Sequence, residues 1–445
     1  MEDSAAIPSP APRWRPASDP LFLLIVGLYL ALAVGYSFVM ELGFAPDETT
    51  RHYPYVQWLA AHRTLPPPDL SGDVGPLNLH PPLYYVALTP VYLAAHPYGN
   101  RAALQALRLT SPFLILAALL LWFACIRKAC ADDRATTLGV FALTAWWPNL
   151  YVDAGALNND VGAILVSSFL LYLVSVRHWD SRSLMSAAIW GLVVGLGALT
   201  KSSVLTVCLP VVAVALVWQH GRRFYADGRF WTRGLLFSAV LIATCAWWYL
   251  RNLEFYHALV PVPQGYSPIP PGIGKLDALM FGMAGPLVMR AVNGLWVSVF
   301  AGAVWFPDWT HPVVYGLLRV VSVAGIIGAV VGLWRLAKGR MRLAGGQLVA
   351  IVLPVVGFAA IYLSTVWVAV FVHAGVYQGG RYLMPFLPGL TIPLSVGLRQ
   401  LVPTTRRADL AAAVAVFFLA LNFLVWYHLI TYWNPFVLGT AGRFH

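Results

Sequence analysis

The chain has 445 residues, 59% hydrophobic and 11% charged, with a mean hydropathy of +0.70. A soluble domain averages about 25% charged residues, so this composition excludes a soluble globular protein and specifies an all-α polytopic membrane protein with its core set by helix packing in a bilayer. The net charge of +11 would suit a nucleic-acid partner, but the distribution of the charges along the chain excludes that reading.

Apolar runs of about 17–25 residues mark transmembrane helices. They fall near 21–40, 103–126, 136–153, 158–176, 184–200, 202–219, 234–250, 313–334, 347–371, 382–398 and 409–430, which makes eleven. With the N-terminus inside, one side of the membrane then holds 18 cations and 8 acids, net +10, and the other 11 cations and 10 acids, net +1. This is the positive-inside asymmetry; it predicts a cytoplasmic N-terminus and an outer C-terminus. The basic excess reflects topology and contact with anionic membrane lipids, with no nucleic acid implied.

Residues 1–20, with Pro8, Pro10, Pro12 and Pro16, form a polar cytoplasmic segment predicted to be disordered. No small-residue cleavage site follows the first span, which reads as an anchor. One transmembrane domain covers 21–433, and 434–445 form a short outer tail. Inner connections are short, whereas 41–102 and 251–312 are long outer loops, the length at which loops are usually functional. No internal repeat and no separate soluble domain is visible.

The first outer loop opens with Pro46-Asp47-Glu48-Thr49-Thr50-Arg51-His52. Acids at the mouth of a membrane helix are expensive to place and point to function. Asp47 and Glu48 could take an acceptor proton or hold an acceptor in line; equally, acids there could cap a helix. Tyr55, Trp58, Leu59 and His62 recur at i, i+3, i+4, i+7, which predicts an amphipathic helix on the membrane surface. His80-Pro81-Pro82-Leu83-Tyr84-Tyr85 predicts a second interfacial helix, with proline in its first turn and Tyr84, Tyr85 and Tyr92 in the headgroup belt.

Asn158-Asn159-Asp160 follows the third span, and Asp160 could bind a metal, orient Asp47, contact a sugar hydroxyl or cap the fourth span. Lys201, in Gly197-Ala198-Leu199-Thr200-Lys201-Ser202-Ser203, is a cation on the side that disfavours cations, so a fixed anion such as a lipid phosphate is expected beside it; the alternative is a snorkelling side chain. Arg251 ends the seventh span after Trp247-Trp248-Tyr249. The loop that follows reads as a proline-rich coil near 260–275, then a half-buried apolar element at 278–304, juxtamembrane or re-entrant, because a full span there would reverse the charge rule. Gln378-Gly379-Gly380-Arg381-Tyr382 opens the tenth span. Arginine is the planar, always-charged partner for phosphate, and the glycines would let the backbone approach a ligand.

Cys125, Cys130, Cys208 and Cys245 match no zinc spacing and read as small packing residues. Glu48 and His52 at i, i+4 could chelate a metal on a helix, but no third ligand stands at metal spacing. A divalent ion is therefore the one cofactor left open.

Taken in order, Pro46-Asp47-Glu48, His80-Pro81-Pro82-Leu83-Tyr84-Tyr85, Thr200-Lys201 and Arg381-Tyr382-Leu383-Met384-Pro385 resemble the motifs of the superfamily of protein O-mannosyltransferases and lipid A aminoarabinose transferases, across about residues 20–400. The resemblance implies the GT-C fold, with about eleven spans and interfacial helices in the first outer loop, in the inner membrane of a bacterium. It implies an inverting glycosyltransferase that moves a sugar from a polyprenyl-phosphate donor to a glycan, lipid or protein acceptor at the outer, periplasmic face. Asp47, Glu48 and Asp160 are then the candidate catalytic residues, with Asp47 foremost. Lys201, Arg381, Arg251 and His80 are candidates for the donor phosphate, and Tyr84, Asn159 and Tyr382 for the substrate cavity. The chain departs from the aminoarabinose transferases at Leu79-His80, where they carry Glu-Lys. It also ends after its last span, so acceptor recognition is expected from the two long loops.

Two readings of other classes compete. A transporter or flippase of a lipid-linked glycan would place its charges near the bilayer midplane and often shows inverted repeats; here the charges ring the outer rim. A non-catalytic assembly subunit is the other.

Overall fold

The computed structural model describes residues 14–43, 45, 47–68, 79–261, 285–300, 312–371 and 379–435. Among these residues the structure is helical, without strands. Eight helices among the described residues are long and apolar enough to cross a membrane. The chain is an integral membrane protein.

The first span is α1 (Pro20–Val39). The first long loop folds into α2 (Tyr53–His62) and α3 (Leu83–Ala95), so two helices form where two were expected. There follow α4 (Asn100–Ala129), α5 (Arg134–Ala145), α6 (Pro148–Ala154), α7 (Asp160–Tyr172), α8 (Leu184–Ala198), α9 (Ser203–His220) and α10 (Gly228–Tyr256). Further along come α11 (Gly285–Phe300), α12 (Pro312–Ala337), α13 (Gly345–Phe371), α14 (Pro388–Gln400) and α15 (Arg407–His428). All eleven expected segments are helical, but not all are simple spans. The third is broken at Trp146-Trp147, where Pro148 starts α6 as a separate helix. The tenth begins as a 3-10 segment, Gly380–Phe386, and only α14 is a regular helix. Pro385 and Pro388 lack the amide hydrogens a continuous α-helix would use.

Small residues let the helices approach closely, as expected where helix association depends on packing. Gly191 and Gly195 of α8 lie against Phe237 and Thr244 of α10, and Gly328 of α12 meets the backbone of Gly397 in α14. The outer flanks stay apolar: Val320, Ile326 and Leu333 of α12 are each more than half exposed, which suits lipid.

Two expectations need correction. Disorder through residue 20 does not hold from Trp14 onward: its indole packs on Phe123 and donates to Asp19, while Asp19 caps α1 and pairs with Arg134. Tyr84, Tyr85 and Tyr92 are buried rather than set in the headgroup belt; Tyr85 stacks on Tyr55 at 4.2 Å, joining α3 to α2. The element expected at 278–304, juxtamembrane or re-entrant, is described over Gly285–Phe300 as α11, whose 16 described residues reach ~24 Å. Its C-terminal end is pinned where Trp147 Nε1 and Asn149 Nδ2 donate to the carbonyls of Val299 and Ser298. The four cysteines are free and buried. Most of the 260–275 coil, the tail from 436 and residues 1–13 lie outside the described residues.

Candidate functional site

The site is built around the chain reversal after α1. Asp47 takes the left-handed conformation (φ 58°, ψ 9°), which aspartate tolerates better than most residues. A turn of π-helix, Glu48–His52, then leads into α2. This reversal sends adjacent acids in opposite directions. Glu48 is fully buried against Arg108 of α4, with Nε–Oε1 at 2.7 Å and Nη2–Oε2 at 2.5 Å. Its carboxylate also accepts from the Leu157 and Gly43 amides, at 3.0 and 2.9 Å. The rest of the Arg108 guanidinium donates to the carbonyls of Met40 and Glu41. Every oxygen of Glu48 is committed to holding the loop to α4 and the α6–α7 connection. Asp47, with its side chain 36% exposed, makes no capping hydrogen bond and faces cations instead, Arg51 at 3.5 Å and Arg381 at 3.8 Å.

A cavity of about 320 Å³ opens beside Asp47. Its polar wall comes from four places in the sequence: Asp47, Arg51 and His52; His80; Asn159 and Asp160; Lys201 with Ser203. Arg381 and Tyr382 close it, and Ile361 and Val368 of α13 give it an apolar side. Local hydrogen bonding explains the convergence. The amide of Leu83 donates to the Leu199 carbonyl at 2.9 Å, which brings the His80-Pro81-Pro82 turn beside Thr200-Lys201. Asn159 Nδ2 donates to the Thr200 carbonyl at 3.4 Å, tying the start of α7 to the same turn. Asp160 is the first residue of α7, where the helix dipole favours an acid. It makes no side-chain cap; its carboxylate contacts the Lys201 ammonium. Lys201 also lies 4.5 Å over the Tyr382 ring, and the Arg381 guanidinium 4.9 Å from the same ring. Tyr382 thus spaces the two cations.

Arg381 is 93% buried by area, donates Nη2 to the Tyr382 hydroxyl, and keeps its Nε–H without a protein partner. The glycine before it serves a different contact from the one expected. The Gly380 amide donates to Ser298 Oγ at 2.9 Å, and a Cβ on Gly380 would meet the Ser298 backbone at 2.3 Å. Gly380 lets this segment pack on α11.

Burial pushes the His80 imidazole down to about 4, helped by the charges of Lys201 and Arg51 and opposed by Asp47 and Asp160. Burial, then His80 and the nearby cations, also hold His52 well below its ordinary value. Both rings are therefore neutral near pH 7. His52 Nδ1 lies 2.8 Å from the Tyr85 hydroxyl.

Of the residues singled out in the sequence, Asp47, Asp160, Asn159, His80, Lys201, Arg381 and Tyr382 line this cavity. Glu48 does not; its bonds to Arg108 also remove the Glu48–His52 chelate. Arg251 donates to the Pro66 carbonyl and lies over the rings of Trp248 and Phe255, tying α10 to the first loop. Tyr84 is buried under α7, against Gly162. Sequence reading missed Arg51, which lines the cavity, and Arg108, which orders it. A signal for Arg108 was present, since it is a charge inside an apolar span.

No family model and no curated protein matches the chain in sequence. Solved structures do match in shape. ArnT from Cupriavidus metallidurans, both apo and bound to undecaprenyl phosphate, aligns with a TM-score of 0.51 at 15% identity, over 92% of this chain and 76% of that one. AglB, the oligosaccharyltransferase of Archaeoglobus fulgidus, in complex with an inhibitory peptide and a dolichol-phosphate, aligns with a TM-score of 0.51 at 11% identity, over 92% of this chain and 56% of that one. The Archaeoglobus fulgidus enzyme in complex with Zn and sulfate aligns with a TM-score of 0.50 at 12% identity, over 91% and 53%. At such identities the likeness concerns architecture, and on that ground the chain has the GT-C fold.

Proposed function

We propose that this chain transfers a sugar from a polyprenyl-phosphate donor to an acceptor at the outer face of a bacterial inner membrane, with inversion at the anomeric carbon. The observation that carries the proposal is the placing of one accessible carboxylate, Asp47, within 4 Å of Arg51 and Arg381 in a cavity that also holds Lys201. The lipid phosphates named in the ArnT and AglB complexes support it by analogy of fold. The charge asymmetry of the loops favours a cytoplasmic N-terminus and a periplasmic cavity.

In this reading an acceptor hydroxyl lies against Asp47. Its oxygen attacks the anomeric carbon from the face opposite the phosphate while Asp47 takes its proton or holds it in line. The bond from that carbon to the phosphate oxygen breaks, and its electron pair leaves with polyprenyl phosphate. Arg381, through its unpartnered Nε–H, and Lys201 face the charge that develops there. Neutral His80 can donate or accept one hydrogen bond without adding charge. Glu48 and Arg108 act on Asp47 only by position.

A resident divalent ion does not fit this donor set. Asp160 is engaged by Lys201, Asp47 stands between two arginines, and Glu48 is saturated by Arg108. Among the described residues no three His, Cys, Asp or Glu side chains converge at metal distance.

The test is mass spectrometry of lipid that copurifies with the protein. Polyprenyl phosphate or its sugar ester is expected with wild type, and at least about tenfold less with Arg381→Gln, the scale of one lost charged hydrogen bond. Equal amounts in both, or none in either, would contradict the reading.

A further inference from the structure

We propose that the ammonium of Lys201, seated on Asp160, together with the two arginines on Asp47, takes the place of a divalent cation, so that this site holds a lipid-linked phosphate without metal. The anion's identity rests on the transfer reading above; the exclusion of metal does not.

Asp47 and Asp160 are the carboxylates that line the cavity. A divalent ion would need their oxygens at about 2.0–2.2 Å. Asp160 is nearly buried, 4% exposed at its side chain, and its Oδ1 is in contact with Lys201 Nζ. The lysine also lies 4.5 Å over the Tyr382 ring. Asp47 Oδ1 and Oδ2 face Arg51 and Arg381 respectively.

Charge bookkeeping points the same way. Arg51, Lys201 and Arg381 oppose Asp47 and Asp160, and His52 and His80 are neutral, so the side chains that line the cavity sum to +1. That charge complements a phosphodiester, which carries one negative charge. Its cations can meet the second charge that appears on polyprenyl phosphate as the sugar leaves. A divalent ion would raise the cavity to +3 beside three fixed cations, in a partly dry pocket where repulsion is weakly screened. It could enter only by driving Lys201 off Asp160.

The experiment is Mn²⁺ titration of the full-length protein in nanodiscs, followed by electron paramagnetic resonance, with wild type beside Lys201→Met and Lys201→Arg. Wild type and Lys201→Arg are expected to show no stoichiometric Mn²⁺. Lys201→Met removes the charge while keeping length and should bind Mn²⁺ at least about tenfold more tightly than wild type, a change of about 1.4 kcal/mol. That gain should vanish when Asp160→Asn is added. One tightly bound Mn²⁺ in wild type, lost in Asp160→Asn, would overturn the proposal, as would Lys201→Met binding no more than wild type. The readout needs no turnover, so failure of the transfer reading leaves it interpretable. If wild-type turnover is found, it should survive chelator treatment.

Discussion

Arg108→Met would show whether the buried Glu48–Arg108 pair is the scaffold of the site. Both side chains are fully buried. Removing the guanidinium takes away both N–H groups that bind the Glu48 carboxylate, at 2.7 and 2.5 Å, and those serving the Met40 and Glu41 carbonyls. The carboxylate keeps only two amide donors. Breaking a buried pair from one side costs about 3–5 kcal/mol, because the remaining charge is uncompensated. Adding Glu48→Gln removes that charge while the amide oxygen still accepts from Leu157 or Gly43, so the double variant should recover at least half of the loss. Thermal unfolding in detergent can be followed by thiol labelling, since Cys125, Cys130, Cys208 and Cys245 are all free and buried. Arg108→Met within about 1 kcal/mol of wild type, or a double variant worse than both singles, would refute the reasoning.

Two further outcomes follow from the same geometry. Burial holds His80 neutral down to about 4, whereas an unfolded histidine protonates near 6.5. The loop's stability should therefore be complete above about pH 6.5 and fall as pH drops toward 4, by up to about 3 kcal/mol, because the opened loop binds the proton first. Hydrogen exchange of the α3 amides, corrected for intrinsic rates, should show this loss, and His80→Gln should flatten it in part, since His52 shifts in the same direction; no slope in wild type would contradict it. Gly380→Ala places a Cβ 2.3 Å from the Ser298 backbone, so α11 and the Arg381 segment must separate, at a cost of about 1–3 kcal/mol. Copurifying polyprenyl phosphate should fall with it, and unchanged lipid content would show that Arg381 does not depend on that packing.

The fold was legible because apolar length and loop charge are local properties. The eleven apolar segments are helical over most of their length, eight helices among the described residues being long enough to span, and both helices of the first loop lie where Pro54, Pro81 and Pro82 put them. Interruptions were harder to see. The breaks at Trp146-Trp147 and at Gly380–Phe386 fall beside Pro148, Pro385 and Pro388, and hydropathy averaged over a window smooths them away. Within the site, isolated charges were informative: Asp47, Asp160, Lys201 and Arg381 stand about one cavity. Adjacent residues were not separable. Nothing in the order Asp47-Glu48 says which acid faces the cavity and which the core; the left-handed backbone at Asp47 decides that. The same holds for Arg51 and Arg108, whose partners are set by the third dimension.

The account turns on Asp47, and the most direct measurement is turnover of Asp47→Asn beside wild type at matched protein levels, with a polyprenyl-phosphate sugar as donor and membrane extract as acceptor. Asparagine keeps the size of the side chain and tolerates the left-handed backbone, so the fold and the copurified lipid should remain. It cannot take a proton or carry full charge, so turnover should fall about 10²-fold or more. Turnover near the wild-type rate would contradict the central claim and leave Asp160 as the carboxylate to be tested.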